Sequence, residues 1–410
     1  MSDSISPLKK LAFTVIAVIL ALVIILSVNE VVFRIVRGAP NPLGATTQQT
    51  MTSLFEPGTV MKDKTNQFNE YNYTAHINSH GYRGPEFVTP KPAGVKRVML
   101  IGDSFTFGVG ADDDETIPAL VGERLKKIDP AVEVINAGVG HASPIYHWVN
   151  LQNFHLKHQP DIVVLLLDLT DIQDDWRHEG QARYDKKGNI KAFDVTYENG
   201  KWSWWRWLTF YCASWLQFDK KVLRSFEKKN IIGWEKYKEL KKEGIRSKAY
   251  IVNMEEGSLP EKKLLEFDGL LFLRGKTRER LIRKQFKRTA GYLDKIKAEL
   301  DARGIPLVLV AYPYGIYVGA DEWNEGRYTW GFDKDRLYTD HLPFEIIGEY
   351  AQSRGIPYIN TTPALIAARK DSREPFYFKW DGHMTPAANR IVADVLASSP
   401  HVLQAVKNVR

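Results

Sequence analysis

From Arg97 onward, short runs rich in Val, Ile and Leu alternate with stretches of helical period. The apolar runs cover 97–101, 133–137, 162–167, 306–311 and 356–360, each about the length of a strand buried on both faces. Between them, helical periods cover 117–128, 144–158, 277–303 and 343–353, and a last one follows from Pro386. Strands alternating with helices imply βαβ crossovers, and so a parallel sheet covered on both faces. The expected fold is α/β, a flavodoxin-like, three-layer parallel sheet. Such a sheet gathers its strand ends on one side, and ligands bind there.

The first of these strands ends in a marked way. Val98-Met-Leu-Ile-Gly-Asp-Ser-Phe-Thr-Phe-Gly108 is an apolar run that stops at Gly102-Asp103-Ser104 and enters a small-residue turn. A short turn at a strand end can hold a hydroxyl exposed while backbone N–H groups face the same point, which suits Ser104 as a nucleophile. Near the other end, Lys379-Trp-Asp-Gly-His-Met-Thr-Pro386 sets Asp381 and His383 two apart, just before a helix. A neutral imidazole can take a serine proton if a carboxylate fixes its tautomer and stabilises the imidazolium. Alone, each segment reads as an ordinary turn. Together they define a triad hypothesis of Ser104, His383 and Asp381.

On these residues the chain resembles the SGNH (GDSL-type) serine esterases and acyltransferases, over roughly residues 82–399. Gly102-Asp-Ser-Phe-Thr-Phe-Gly108 places Ser104 at the family's nucleophile position. Ile135-Asn-Ala-Gly-Val-Gly140 places Gly138 at the oxyanion-hole glycine. In Val163-Val-Leu-Leu-Leu-Asp-Leu-Thr-Asp171, Thr170 stands where the family has an oxyanion-binding Asn. The resemblance thus implies an oxyanion hole from Ser104, Gly138 and Thr170, with Asp103 and Asp171 in support. Asp381-Gly-His383 departs from the commoner Asp-x-x-His spacing and is similar to the membrane-anchored branch that includes alginate O-acetylation proteins. That branch implies transfer of an acetyl or other short acyl group on a cell-surface glycan, beside a multispanning membrane acyltransferase. Losing one oxyanion donor typically costs about 3 kcal/mol, so Thr170 also motivates a second reading: a catalytically degenerate SGNH-like scaffold subunit of a membrane complex.

The 410 residues are 44% hydrophobic, enough for one substantial domain with accessories. Residues 11–28 form an uncharged, mostly apolar stretch of about 18 residues, long enough to span a bilayer as a helix. It is long for the apolar core of a cleavable signal, and no small-x-small site follows it. The expected organisation is an anchor over 1–36, an extracytoplasmic linker over 37–92 that packs on the domain, and an SGNH-like catalytic domain over 93–400. Lys9 and Lys10 place the N-terminus in the cytoplasm and the main domain outside, in the periplasm of a Gram-negative cell, although Arg34 and Arg37 reduce the asymmetry.

Residues 177–276 interrupt the alternation. A β-hairpin is expected around 187–189, then Lys201-Trp-Ser-Trp-Trp-Arg-Trp-Leu208 and a Lys-rich helical stretch to Lys248. This basic, Trp-rich insertion is either an interfacial surface against lipid or a membrane partner, or a small core that packs the insertion onto the domain. Within the linker, residues 78–85 either border the cleft or are plain tether.

The net charge of +7 fits anionic lipid, an acidic glycan or a merely solvated surface; nucleic acid is not expected on an exported domain. Cys212 is the single cysteine, so no intrachain disulfide exists. The carboxylates at 112–115 read as a solvated turn or helix N-terminus and those at 168–175 as loop anchors, so no metal and no cofactor is expected. His141, His147, His155, His158 and His178 are given surface or core roles, and Tyr312 and Tyr314 either line the cleft or belong to the core.

Overall fold

The computed structural model describes residues 6–37, 54–64, 69–194, 197–198, 201–204 and 276–409, with isolated positions between 212 and 242. These residues belong to two compact units: Met1–Thr50 with Gly180–Tyr237, and Met51–Glu179 with Lys238–Arg410.

Helix α1 (Pro7–Arg37) opens the first unit. Pro7 has no N–H to leave unbonded at the first helical position, and the Ser6 hydroxyl accepts from Lys9 N–H. Within its stretch Pro7–Val32 an 18-residue window has a mean hydropathy of 3.2 and no buried residue, so the helix is long and apolar enough to cross a membrane. Farther along this unit, Ala182–Tyr184 pairs antiparallel with Ile190–Phe193, which is the expected hairpin. The Asp185 carboxylate accepts from the N–H groups of Lys187 and Asn189, and Gly188 takes the positive φ that the turn requires. Most of the Trp-rich and Lys-rich insertion lies outside the described residues.

The second unit begins with strands β1 (Val60–Lys64) and β2 (Asn72–His76), an antiparallel pair. The main sheet follows, built from β3 (Lys96–Gly102), β4 (Val132–Gly138), β5 (Ile162–Leu167), β6 (Leu307–Ala311) and β7 (Tyr358–Asn360). All its pairings are parallel, and the order is β7-β6-β5-β3-β4. Counted within the sheet, that is 2-1-3-4-5, the flavodoxin-like order, and the direction of winding reverses between the first and third strands. The six residues of β5 are all buried, which explains why the run reads as continuously apolar rather than alternating.

Two separate groups of helices form the outer layers. One joins α3 (Ile117–Ile128) to the later helices α8 (Thr362–Asp371) and α9 (Pro386–Ser398); the other joins α4 (Pro144–Asn150) to α6 (Lys276–Asp301) and α7 (Leu342–Ser353). The helix expected over 144–158 does not run through. After Asn150 it widens into a π turn over Leu151–His155 and tightens into a 3-10 turn over Leu156–His158. The wider turn lets both Leu151 and His155 face inward, where His155 Nδ1 lies 2.8 Å from the Tyr82 hydroxyl.

Candidate active site

The site lies past the carboxyl end of β3, at the reversal of strand order. Gly102, the last residue of β3, sits in register with Gly138 of β4. The chain then turns into a helix of a single turn, α2 (Ser104–Phe107). Asp103 caps it by accepting from Phe105 N–H at 3.0 Å, and Tyr312 donates to the same Asp103 oxygen at 2.6 Å. Burial raises the Asp103 carboxyl above its usual range, against the lowering effect of the Tyr312 hydroxyl.

His383 Nε2 lies 2.8 Å from Ser104 Oγ. His383 Nδ1 makes a short contact with Asp381 Oδ1, which also accepts the His383 backbone N–H at 3.0 Å. Burial alone would depress the imidazole, but the Asp381 carboxylate, reinforced by Asp103 and Asp168, outweighs it and holds His383 above its ordinary value. Burial likewise opposes ionisation of Asp381. The charge of His383 and the donors around Asp381 overcome that, leaving its carboxyl well below the usual range.

Two expected oxyanion donors are engaged elsewhere. The Gly138 N–H donates to Asn136 Oδ1 at 3.0 Å, and a Cβ at Gly138 would lie 2.6 Å from Phe107 Cα. Gly138 is therefore glycine so that α2 can pass close to the end of β4. Thr170 donates its hydroxyl to Asp168 Oδ2, an oxygen that also accepts from Tyr314 at 2.9 Å. Asp168 is buried, and burial together with Asp103 pushes its carboxyl up to about 8. A buried carboxyl draws nearby hydroxyls to itself, and that claims Thr170. Asp171 anchors the same turn, its Oδ2 accepting from Asp168 N–H at 3.0 Å.

What remains beside the Ser104 hydroxyl is the Ser104 N–H, which opens α2 and so has no partner within the helix. Gly140, two residues beyond the expected glycine, has open space where a Cβ would be and no hydrogen bond among the described residues. His141 follows it with φ of 59°; burial pulls its imidazole below the ordinary value, with Asp103 opposing and His383 adding to the shift.

A family model described as the SGNH hydrolase-like domain of the acetyltransferase AlgX matches residues 267–408, the stretch that contains Asp381 and His383. The chain carries an SGNH hydrolase-like domain. Ser104 lies outside the matched stretch and is joined to it by the His383 contact. No curated protein sequence matches the chain. Among solved structures, an acetyl xylan esterase, AlAXEase, is 14% identical over 74% of this chain and 98% of its own, with a TM-score of 0.36. A catalytic mutant of Axe2, an acetylxylan esterase from Geobacillus stearothermophilus, is 13% identical over 75% and 96%, with a TM-score of 0.34.

The site also enlists residues that the sequence did not mark as functional. Glu70 accepts the backbone N–H groups of Trp380 at 2.7 Å and Asp381 at 2.9 Å. Tyr71 donates to Asp381 Oδ2 at 3.0 Å. Arg83, 2% exposed, donates to the carbonyl oxygens of Phe107, Gly108 and Ala111 at the far end of the nucleophile turn. The segment 78–85 thus borders the site rather than serving as plain tether. Tyr312 and Tyr314 are buried in the core, and their hydroxyls serve the site's carboxylates. Among the described residues no cluster of His, Cys, Asp and Glu could hold a metal ion. The acidic turn at 112–115 is occupied by protein partners: Asp112 accepts from Thr74 N–H, and Asp113 from Arg83.

Proposed function

We propose that the chain is a membrane-anchored SGNH-type serine esterase or O-acyltransferase that acts on short acyl esters, of the acetyl type, of a cell-surface glycan. The observation that carries this reading is the 2.8 Å approach of His383 Nε2 to Ser104 Oγ, with Asp381 at the other imidazole nitrogen.

Ser104 Oγ attacks the ester carbonyl while His383 Nε2 takes the hydroxyl proton. The carbonyl π electrons move to oxygen, where the Ser104 N–H at the start of α2 stabilises the charge. Collapse expels the alcohol, which recovers the proton from His383 and leaves an acyl ester on Ser104. Water or a sugar hydroxyl then gives its proton to His383 and attacks that ester, which returns Ser104 to its free form. Hydrolysis and transfer share every one of these residues; exclusion of water and binding of the acceptor divide them.

Helix α1 supplies the anchor, with the N-terminus cytoplasmic and the SGNH domain in the periplasm. In this setting the glycan, the lipid surface and a multispanning acyltransferase are the partners. Membrane fractions washed at alkaline pH test the anchor: retention in the pellet supports it, and release into the supernatant sinks it.

The engagement of Gly138 and Thr170 favours a second reading, a degenerate scaffold subunit. Fluorophosphonate labelling of the detergent-solubilised protein separates the two. Labelling that is lost in Ser104→Ala and His383→Ala supports the enzyme. No labelling of the folded wild type supports the scaffold.

A further inference from the structure

The catalytic turn at Asp381-Gly-His383 is held from outside the main sheet, by a pair of residues some 310 positions earlier in the chain. Glu70 and Tyr71 stand just before β2, which among the described residues pairs with β1 and not with the main sheet. The two Glu70 oxygens each accept one backbone N–H from this turn, so the carboxylate clamps Trp380 and Asp381 as a fork. Tyr71 then reaches the one Asp381 oxygen that does not face His383 Nδ1. Its ring is fixed by Phe378, 4.8 Å away between centroids, and by Tyr73 at 5.8 Å. The Phe378 N–H in turn bonds the His383 carbonyl oxygen at 3.1 Å, so the Tyr71 ring and the catalytic turn share one support.

Resting on the serine-enzyme reading above, we infer that Tyr71 is a positioning residue: its hydroxyl orients Asp381 and tempers the carboxylate's pull on His383, while Glu70 fixes the turn that carries both. The pair lies before the domain boundary expected at residue 93, so the catalytic unit begins before its first sheet strand.

The electrostatic consequence has a definite sign. The Tyr71 O–H directs its positive end at the Asp381 carboxylate and withdraws part of the negative potential felt at His383. Removing the hydroxyl strengthens that potential, favours the imidazolium, and moves the titration of His383 upward. The other charged or titratable groups acting on His383 are Asp103 beside the nucleophile, Asp168 past β5 and His141 past β4; the Phe105 ring packs at 4.8 Å. None of these is altered by a change at Tyr71.

The test compares wild type with Tyr71→Phe in full-length, detergent-solubilised protein. Phenylalanine keeps the ring and its packing and loses only the hydroxyl. Two readouts are needed. Hydrolysis of p-nitrophenyl acetate across pH is expected to show kcat reduced roughly tenfold with KM unchanged, and the acid limb of kcat/KM raised by roughly half a unit. An NMR titration of isotope-labelled His383 is expected to show the same upward displacement, and it requires no turnover. Glu70→Gln, which cannot accept two N–H groups as a carboxylate does, is expected to lower kcat further.

If the Tyr71→Phe profile and the His383 titration both superimpose on wild type, Tyr71 only packs and the inference is overturned. A lowered melting temperature with an unmoved titration overturns it equally. A wild type without Ser104-dependent hydrolysis overturns the serine-enzyme reading instead, and the His383 titration still decides the role of Tyr71.

Discussion

The Arg83 guanidinium lies 4.9 Å from the centroid of the Phe107 ring and donates to the Phe107 carbonyl oxygen at 3.0 Å. Phe107 ends the single helical turn that begins at Ser104. A helix this short has no cooperative stability of its own and leaves its last carbonyl groups without partners. Arg83 donates at Phe107, Gly108 and Ala111, joining Asn136 Nδ2 at the Phe107 oxygen and the Ala111 N–H at the Gly108 oxygen, since the planar fork of an arginine can serve several carbonyls at once. The turn that carries Ser104 is thus held at both ends, by the Asp103 cap in front and by Arg83 behind.

Arg83→Lys keeps the charge but offers one compact ammonium in place of the fork. It is expected to destabilise the protein by about 2–3 kcal/mol and to slow fluorophosphonate labelling of Ser104. Arg83→Met, which removes the donors altogether, is expected to do more of both. Thermal unfolding and labelling rate check this; a Lys variant labelled at the wild-type rate would show that Arg83 does not hold the turn.

The pH dependence of the triad has a clear direction. In the proposed mechanism His383 is the base and acts when neutral; the Asp381 carboxylate outweighs the effect of burial and holds its titration above the ordinary imidazole value. Activity is therefore expected to rise with pH through a limb displaced above the usual 6.5. In Asp381→Asn the carboxylate attraction is gone and burial dominates, so the limb moves to lower pH. The rate falls about 10³- to 10⁴-fold, because the tautomer is no longer fixed. A limb that stays in place in Asp381→Asn would remove Asp381 from the relay.

Much of this was legible in the sequence for a physical reason. Strands buried on both faces are apolar without alternation, so 162–167 announces itself, and five such runs separated by helical periods leave little choice of fold. Ser104, Asp381 and His383 were legible because each stands in a short turn whose residue types suit its chemistry. The contribution of Glu70 and Tyr71 was not, because it depends on contacts across some 310 residues and on no local pattern. The partner of the Thr170 hydroxyl was not legible either. A hydroxyl bonds the nearest strong acceptor, and that acceptor became evident only when the fold buried Asp168 beside it.

Gly138 and Gly140 make opposite predictions that one pair of variants checks. A Cβ at Gly138 would meet the backbone of Thr106 and Phe107, whereas one at Gly140 would meet nothing within 4 Å. Gly138→Ala is expected to cost roughly 2–3 kcal/mol or more, since backbone cannot rotate out of the way as a side chain can. It should also displace α2 and abolish labelling of Ser104. Gly140→Ala keeps its N–H and is expected to melt within a degree or two of wild type. Equal melting temperatures for the two variants would mean that α2 does not depend on the close approach to β4.

Asp175 carries a stability switch that is separable from catalysis. It is fully buried within α5 (Asp171–Gln181), where its Oδ1 accepts the Ile145 N–H of α4 at 2.9 Å, and burial pushes its carboxyl up to about 7. The unfolded chain releases this proton near the usual 3.8, whereas the folded protein keeps it until about 7. Between those values the native state binds more protons than the unfolded state, so the contribution of Asp175 to stability is complete below about 4 and declines as pH rises toward 7. The decline is at most about 1.4 kcal/mol per pH unit. Asparagine keeps the acceptor for Ile145 and cannot ionise. Asp175→Asn is therefore expected to melt close to wild type at pH 4 and progressively above it toward pH 8. Melting curves of the two proteins across that range decide the matter: a constant difference at every pH would mean that Asp175 stays ionised in the folded protein.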